Sequence, residues 1–240
     1  MEALYSTFAP YRLRPHVEGC PCCVTDEHQK QIHSKSLREL QPKQLEDFGF
    51  KVMSTWGSVE DFKHFLPRLF EIQTFGPDWL TDSEVLFGKL DYGHWLTWPV
   101  AEQSAIENFL HTYWAFSLTK ESWIDNVEIW LCSIAQCVTD LSAYLRYWLD
   151  NLDKSATWHL ADLVYGNNYS VAAKSKLGNA FWDTRDEQMK QVISWLQNPA
   201  TAKAFQEAVV KNNFVHNNSP EVQSALMFFS TSAAGGEWAA

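Results

Sequence analysis

The spacing of apolar residues between Ser58 and Phe75 constrains the fold of this chain more than any other feature. Apolar side chains recur there every three or four residues, at Val59, Phe62, Phe65, Leu66, Leu69, Phe70 and Ile72. At 100° per residue these positions share one side of an α-helix. Ser58 is a favourable N-cap and Asp61 follows three residues later, which predicts that the helix begins here. Pro67 falls on the polar side, where we expect it to face solvent.

The same helical spacing recurs along the rest of the chain, and no segment alternates polar and apolar residues as a strand would. We predict an all-α fold of about ten antiparallel helices, stacked as helical hairpins in an irregular α-solenoid or a compact bundle. Residues 123–152 contain neither Gly nor Pro, and two helices are predicted there because very long helices are uncommon in globular proteins.

The chain is predicted to form a single all-helical domain over residues 1–240. Residues 1–40 are expected to form an N-terminal arm and a cysteine-rich turn that pack on this domain. Residues 1–15 show no helical periodicity, so this part of the arm is predicted to be extended. Gly166 is predicted to end a helix that begins near residue 155.

The charge of the chain excludes two classes of partner. The 240 residues carry a formal net charge of −10, and the pI is about 5.2. Nucleic acids and anionic membrane surfaces are bound through clustered Lys and Arg, so neither is predicted as a partner. No apolar run suits a transmembrane helix and the N-terminus lacks a signal-peptide pattern, which together predict a cytoplasmic location. The short motifs of dinucleotide-binding folds, P-loops, α/β-hydrolases and zincins are missing.

The segment HVEGCPCCV, residues 16–24, is the most specific chemical signal in the sequence. Its C-x-x-C spacing lets two thiolates reach one metal ion, and a third sulfur and an imidazole lie close by. The candidate ligands for a zinc ion are Cys20, Cys22, Cys23 and His16. A second C-x-x-C pair is missing, because the other two cysteines are five residues apart on a predicted helix. Three interpretations stay open: a structural metal site, a reactive thiol group, and cysteines that only pack or remain free.

A second candidate site combines the polar side of the first helix with the connector that precedes the helix starting at Pro99. Glu102 lies in the middle of the apolar side of that helix, where a carboxylate is costly without a partner, and Arg68 and Lys89 are the nearest partners by sequence. If the N-terminal arm or the connector covers the polar side, a cleft forms that suits a planar or anionic ligand. The predicted ligand-binding residues are His64, Arg68, His94, Trp95, Trp98 and Glu102. The alternative interpretation is a solvated helix surface.

Four segments carry a resemblance to known proteins, namely CPCCV, TWG, HFLPRLFE and W-x-x-WP-x-x-E. They resemble an uncharacterised family of bacterial all-helical proteins for which no activity is known, so the resemblance implies a fold and no function. The helical hairpins also resemble HEAT-type proteins, which mostly bind other proteins. We therefore expect a binding module for another protein or a peptide. The alternative is a small-ligand binder or enzyme built around His64, Arg68, His94 and Trp98.

Overall fold

The structure, a computed structural model, describes residues 1–76, 80–121, 126–214 and 219–233. Within these ranges the backbone forms twelve α-helices and no strand, which confirms the predicted all-α fold. The helices are α1 (Glu2–Phe8), α2 (Asp26–Ile32), α3 (Pro42–Lys51), α4 (Val59–Phe75), α5 (Ser83–Tyr92), α6 (Val100–Ser117), α7 (Val127–Ala135), α8 (Ser142–Asp150), α9 (Lys154–Lys174), α10 (Asp186–Leu196), α11 (Pro199–Lys211) and α12 (Pro220–Ala233). Short 3-10 helices lie at Leu37–Glu39, Trp95–Thr97 and Ala180–Thr184. The stacking of these helices as hairpins stays a prediction.

Helix α4 begins where its sequence predicts. The Ser58 hydroxyl accepts a hydrogen bond from the backbone N–H of Asp61, and the Asp61 carboxylate accepts one from the backbone N–H of Ser58 at 2.7 Å. This reciprocal capping box satisfies two N–H groups that a helix start leaves without partners. The apolar positions identified from the spacing are all buried except Val59. The same helix therefore supplies both a core face and a polar face.

The N-terminal residues contain a helix, so the prediction that residues 1–15 are extended is wrong. Helix α1 buries Leu4, Tyr5 and Phe8 on one face and packs against α4. The helix has only seven residues, too few for a helical period to stand out in the sequence. Pro10 follows it and has no backbone N–H to donate, so the hydrogen-bond pattern of the helix cannot continue.

Pro67 is buried, so the prediction that it faces solvent is also wrong. The reason is that α1 packs against α4 and brings Phe8 close to Pro67, so that both residues line one groove. The N-terminal segment turns part of the polar side of α4 into an interior surface. Asp61 and Lys63, which the helical spacing assigns to that polar side, are 2% and 6% exposed.

Helix α9 passes through Gly166 without ending, in contrast to the predicted helix end at that residue. The Asn167 side chain donates to the Leu163 carbonyl oxygen at 2.9 Å and accepts from the Gly178 N–H at 2.6 Å. Together with the packing of α9 against α12, these contacts support the helix across its weakest position. The predicted division of residues 123–152 into two helices matches α7 and α8, and residues 123–125 lie outside the described ranges.

Packing within the chain divides it into two compact units, Met1–Tyr113 and Trp114–Ala240. The first unit contains the cysteine turn and all residues of the second candidate site. In the second unit, the described residues bury Trp114, Trp148 and Trp182 completely. The single domain predicted from the sequence stays a prediction. No described helix combines the length and the apolar character that crossing a membrane requires.

Candidate functional site

The cysteine turn is attached to the core of the first unit through the loop between α3 and α4. Gly19 forms an isolated antiparallel bridge with Trp56, and the Cys20 N–H donates to the Thr55 carbonyl oxygen at 2.8 Å. The Trp56 indole is buried against Phe48, with ring centroids 5.1 Å apart. Backbone hydrogen bonds to the segment that carries this buried indole therefore hold the turn in place.

The turn itself is closed by two hydrogen bonds to one carbonyl group. The N–H groups of Cys23 and Val24 both donate to the Cys20 carbonyl oxygen at 2.9 Å. A Cβ atom on Gly19 would lie 2.7 Å from Cγ2 of Val24, so a larger residue does not fit without a shift. This closed turn brings three ligand atoms within 4.8 Å of one another, the Sγ atoms of Cys20, Cys22 and Cys23. The three cysteines could therefore hold a metal ion.

The three thiols are electrostatically unequal. The Sγ atom of Cys22 lies 2.8 Å from that of Cys20 and 3.5 Å from that of Cys23. The hydrogen bond from the Cys22 thiol stabilises a thiolate on Cys20, and this lowers the pKa of Cys20. The same hydrogen bond raises the pKa of Cys22 to about 11, because its thiol is the donor. Cys20 therefore becomes a thiolate, the form that binds metals, before Cys22 does.

The spacing of the sulfurs can be compared with a zinc–thiolate site. Tetrahedral zinc with Zn–S bonds of about 2.3 Å requires neighbouring sulfurs to be about 3.8 Å apart. The Cys22–Cys23 distance of 3.5 Å is close to this value. The Cys20–Cys22 distance of 2.8 Å would have to open by about 1 Å on binding. Cys22 is exposed, so a side-chain rotation that makes this adjustment meets little resistance.

The histidines near the turn do not join the three sulfurs. His16 is exposed and lies outside the group of potential metal ligands that the described residues form. His28 accepts a hydrogen bond from the Thr25 N–H through Nδ1 at 3.1 Å, and its Nε2 lies 3.4 Å from a carboxylate oxygen of Asp47. Three sulfur ligands are therefore assembled, and the fourth position of a tetrahedral site would be filled from solution.

Two of the predicted ligand-binding residues, Trp98 and Glu102, contact the same buried lysine in the first unit. Glu102 is 6% exposed, and its Oε2 atom lies 2.6 Å from Nζ of Lys63. Its Oε1 atom accepts a hydrogen bond from the Tyr11 hydroxyl at 2.6 Å. The Lys63 ammonium also lies 4.2 Å from the centre of the Trp98 ring, a cation–π contact. Glu102 is thus paired with Lys63, and not with either of the partners suggested by sequence proximity.

The other four predicted residues are distributed over different environments. The Arg68 guanidinium donates to the Leu40 carbonyl oxygen at 2.8 Å and to Glu71 at 2.5 Å. Trp95 is buried, whereas His94 is exposed and adopts a left-handed conformation with φ of 54°. His64 is half-buried, and its Nδ1 atom lies 2.9 Å from the Tyr11 carbonyl oxygen. Of the six predicted residues, only His64 lines the groove that α1 forms with α4.

Lys63 and Tyr11 were missed by the sequence analysis, although both contact Glu102. Lys63 is one of the charged residues on the polar side of α4, and nothing in the local spacing shows that this side becomes buried. A buried carboxylate on α6 requires a cation. This requirement indicated that Glu102 has a cationic partner, but it did not identify Lys63 as that partner.

Comparisons with known proteins add no assignment: no family model, curated protein or solved structure matches the chain.

Proposed function

We propose that this protein binds one zinc ion through the thiolates of Cys20, Cys22 and Cys23. The observation that carries the proposal is the placement of three sulfur atoms within 4.8 Å of one another in one closed turn. A turn that already holds its ligands together loses little conformational entropy on binding, which favours affinity. His16, the fourth ligand predicted from the sequence, is not needed for this proposal, since water can occupy the remaining position.

The donor set argues for a metal ion that prefers sulfur ligands, and we assign zinc because it has no redox chemistry and therefore suits a structural role. Magnesium and calcium prefer oxygen ligands, whereas soft thiolates select zinc, copper(I) or iron–sulfur clusters. An iron–sulfur cluster takes four cysteines as a rule, and the described residues bring only three together. Thiols persist in reducing compartments, so a zinc–thiolate site also accords with the cytoplasmic location that we propose for this protein.

The role of the ion would be structural. The turn contributes the Gly19–Trp56 bridge, which links the N-terminal segment to the loop before α4. An ion that binds only the folded turn stabilises it by mass action, by about 2.7 kcal/mol at a free concentration 100 times the dissociation constant. Zinc would thus fasten the N-terminal segment to the core of the first unit.

The test is metal analysis of protein purified under reducing conditions. We expect about one zinc per chain by mass spectrometry of the metal. Replacement of zinc by cobalt(II) should produce a thiolate-to-metal charge-transfer band in the near-ultraviolet. Cys20→Ser and Cys23→Ser should each remove most of the metal and the band. Cys137→Ala is the matched control, because Cys137 is buried in the second unit, and it should retain both.

Two results would overturn the proposal. One is protein that contains no metal and whose melting temperature is unchanged by added zinc or by a chelator. The other is a cobalt spectrum that Cys20→Ser and Cys137→Ala alter to the same extent.

Binding of another protein or a peptide stays a prediction, founded on the all-α class and the acidic charge of the chain. The alternative of an enzyme or small-ligand binder that uses His64, Arg68, His94 and Trp98 together also stays a prediction. Those four side chains lie in separate environments, so any such role would rest on His64 and its own neighbours.

A further inference from the structure

A groove of about 640 Å³ runs along the face of the first unit where α1 lies against α4. Its volume falls within the range of about 300–1,000 Å³ that is typical of small-molecule sites. The lining residues on which the inference depends are Tyr5, Phe8, Arg12, Arg38, His64 and Pro67. They come from α1, from the segment that follows it, from the 3-10 helix Leu37–Glu39 and from α4.

The walls of the groove are aromatic and rigid. The Tyr5 hydroxyl donates to Glu71 at 2.6 Å, and this hydrogen bond fixes the position of the ring. The Arg38 guanidinium lies 3.7 Å from the centre of the Tyr5 ring and is itself held by two hydrogen bonds of 2.7 Å to Glu2. Stacked planar groups of this kind present a flat surface to a bound molecule.

The charge of the groove is opposite to that of the chain. Two guanidinium groups, Arg12 and Arg38, and one carboxylate, Glu2, line it, which gives +2 − 1 = +1 in a chain of net charge −10. Arg38 is paired with Glu2, whereas Arg12 is exposed and forms no ion pair within the described part of the chain. The guanidinium of Arg12 is therefore the one that remains available to a bound anion.

His64 adds a polar atom of defined character. A carbonyl oxygen only accepts hydrogen bonds, so the contact with the Tyr11 carbonyl places the proton of the neutral ring on Nδ1. Burial lowers the pKa of His64, which favours this neutral form. The ring therefore adds no charge to the groove, and Arg12 remains the group that attracts an anion.

We infer that this groove binds a small planar organic anion, independently of any metal at the cysteine turn. Tyr5, Phe8 and Pro67 are buried and form the floor of the groove. The flat part of the ligand stacks on the Arg38 guanidinium, whose side chain is 52% exposed, and its anionic group pairs with Arg12. Stacking is available to any flat molecule, whereas Arg12 selects the charged molecule over a neutral one of the same shape.

The test uses 2-naphthoate and 2-naphthamide, which share a flat ring system and differ in charge. Each is titrated into the full chain and followed in two-dimensional amide NMR spectra. We expect the shifted amides to cluster in residues 5–12 and around His64. We also expect 2-naphthoate to bind about fivefold more tightly than 2-naphthamide, as an exposed charge pair allows.

Matched variants separate the groove from general charge effects. Arg12→Gln should weaken 2-naphthoate binding about threefold to fivefold and leave 2-naphthamide binding unchanged. Arg146→Gln removes an exposed arginine of the second unit that does not line the groove, and it should change neither. The inference is overturned if neither compound binds at about 10 mM, a concentration well above typical dissociation constants of small ligands. It is equally overturned if the two compounds bind alike, or if the two variants have the same effect.

Discussion

Replacing Lys63 by Met should strongly destabilise the protein, because it leaves Glu102 buried without a cation. The two side chains are each 8% exposed, with Nζ and Oε2 separated by 2.6 Å. Tyr11 completes the group, since its hydroxyl donates to Glu102 at 2.6 Å and accepts from Lys63 at 3.1 Å. A buried ionic group of this kind is sensitive to the loss of one member.

The magnitude follows from two opposing contributions. At 2.6 Å and an effective dielectric constant of about 20, the Coulomb attraction is about 6 kcal/mol. Removing each charge from water costs several kcal/mol, so the intact pair contributes little net free energy. Lys63→Met removes the attraction and leaves the cost for Glu102, with only the Tyr11 hydrogen bond as compensation. We therefore expect the free energy of unfolding to fall by about 3–5 kcal/mol.

The measurement is chemical denaturation of the full chain, followed by tryptophan fluorescence and circular dichroism. Lys30→Met is the matched control, because Lys30 lies 3.8 Å from Glu27 and both are largely exposed. This control should change the free energy of unfolding by no more than about 0.5 kcal/mol. The double variant Lys63→Met/Glu102→Met removes both charges and should recover most of the stability lost by Lys63→Met.

The reasoning would be refuted by either of two results. The first is a Lys63→Met variant that is no less stable than the Lys30→Met control. The second is a double variant whose loss equals the sum of the losses of Lys63→Met and Glu102→Met measured separately, because additive effects would show that the two charges do not interact.

Three further changes test other contacts of the first unit. Gly57→Ala should cost about 1–2 kcal/mol in denaturation experiments, because Gly57 has φ of 74° and a Cβ atom would lie 3.2 Å from neighbouring side chains. Burial raises the pKa of Asp61, but hydrogen bonds, above all from Arg14, outweigh burial and hold that pKa below its usual value. The stabilising contribution of the Asp61 carboxylate is therefore complete above the unfolded pKa of about 3.9, and it is lost as the pH falls through the folded pKa. Arg14→Gln removes the main hydrogen bond that lowers the folded pKa, so acid unfolding should begin at a higher pH. Tyr5→Phe removes the 2.6 Å hydrogen bond to Glu71 and should lower the free energy of unfolding by about 1 kcal/mol. An unchanged melting temperature would contradict this expectation.

Structural features that depend on residues within one or two helical turns of one another could be predicted from the sequence. The capping box of Ser58 and Asp61 marked the start of α4, and a capping box of Thr25 and His28 begins α2 in the same way. Both depend on backbone groups three residues apart, so residue type and spacing are sufficient. The same locality applies to the cysteine turn, because the C-x-x-C spacing lets two sulfurs reach one metal ion.

Features that depend on which segments meet could not be read in this way. The Tyr11–Glu102 hydrogen bond joins residues 91 positions apart, and no local pattern encodes such a distance. The apolar period of α4 identified its inner side correctly, yet it assigned Lys63 to a solvated face. That face is buried because α1 packs on it, and α1 is too short to show a period of its own.

The sequence by itself thus determined the all-α class, the start of α4 and the grouping of the three cysteine sulfurs. Only the tertiary structure decided that Lys63 pairs with Glu102, that α9 continues through Gly166 and that His64 lines a groove with Arg12. The physical reason is the separation along the chain of the residues that determine each feature. Helical periodicity and capping are set by neighbours along the chain, whereas burial of a polar side chain is set by whichever distant segment covers it.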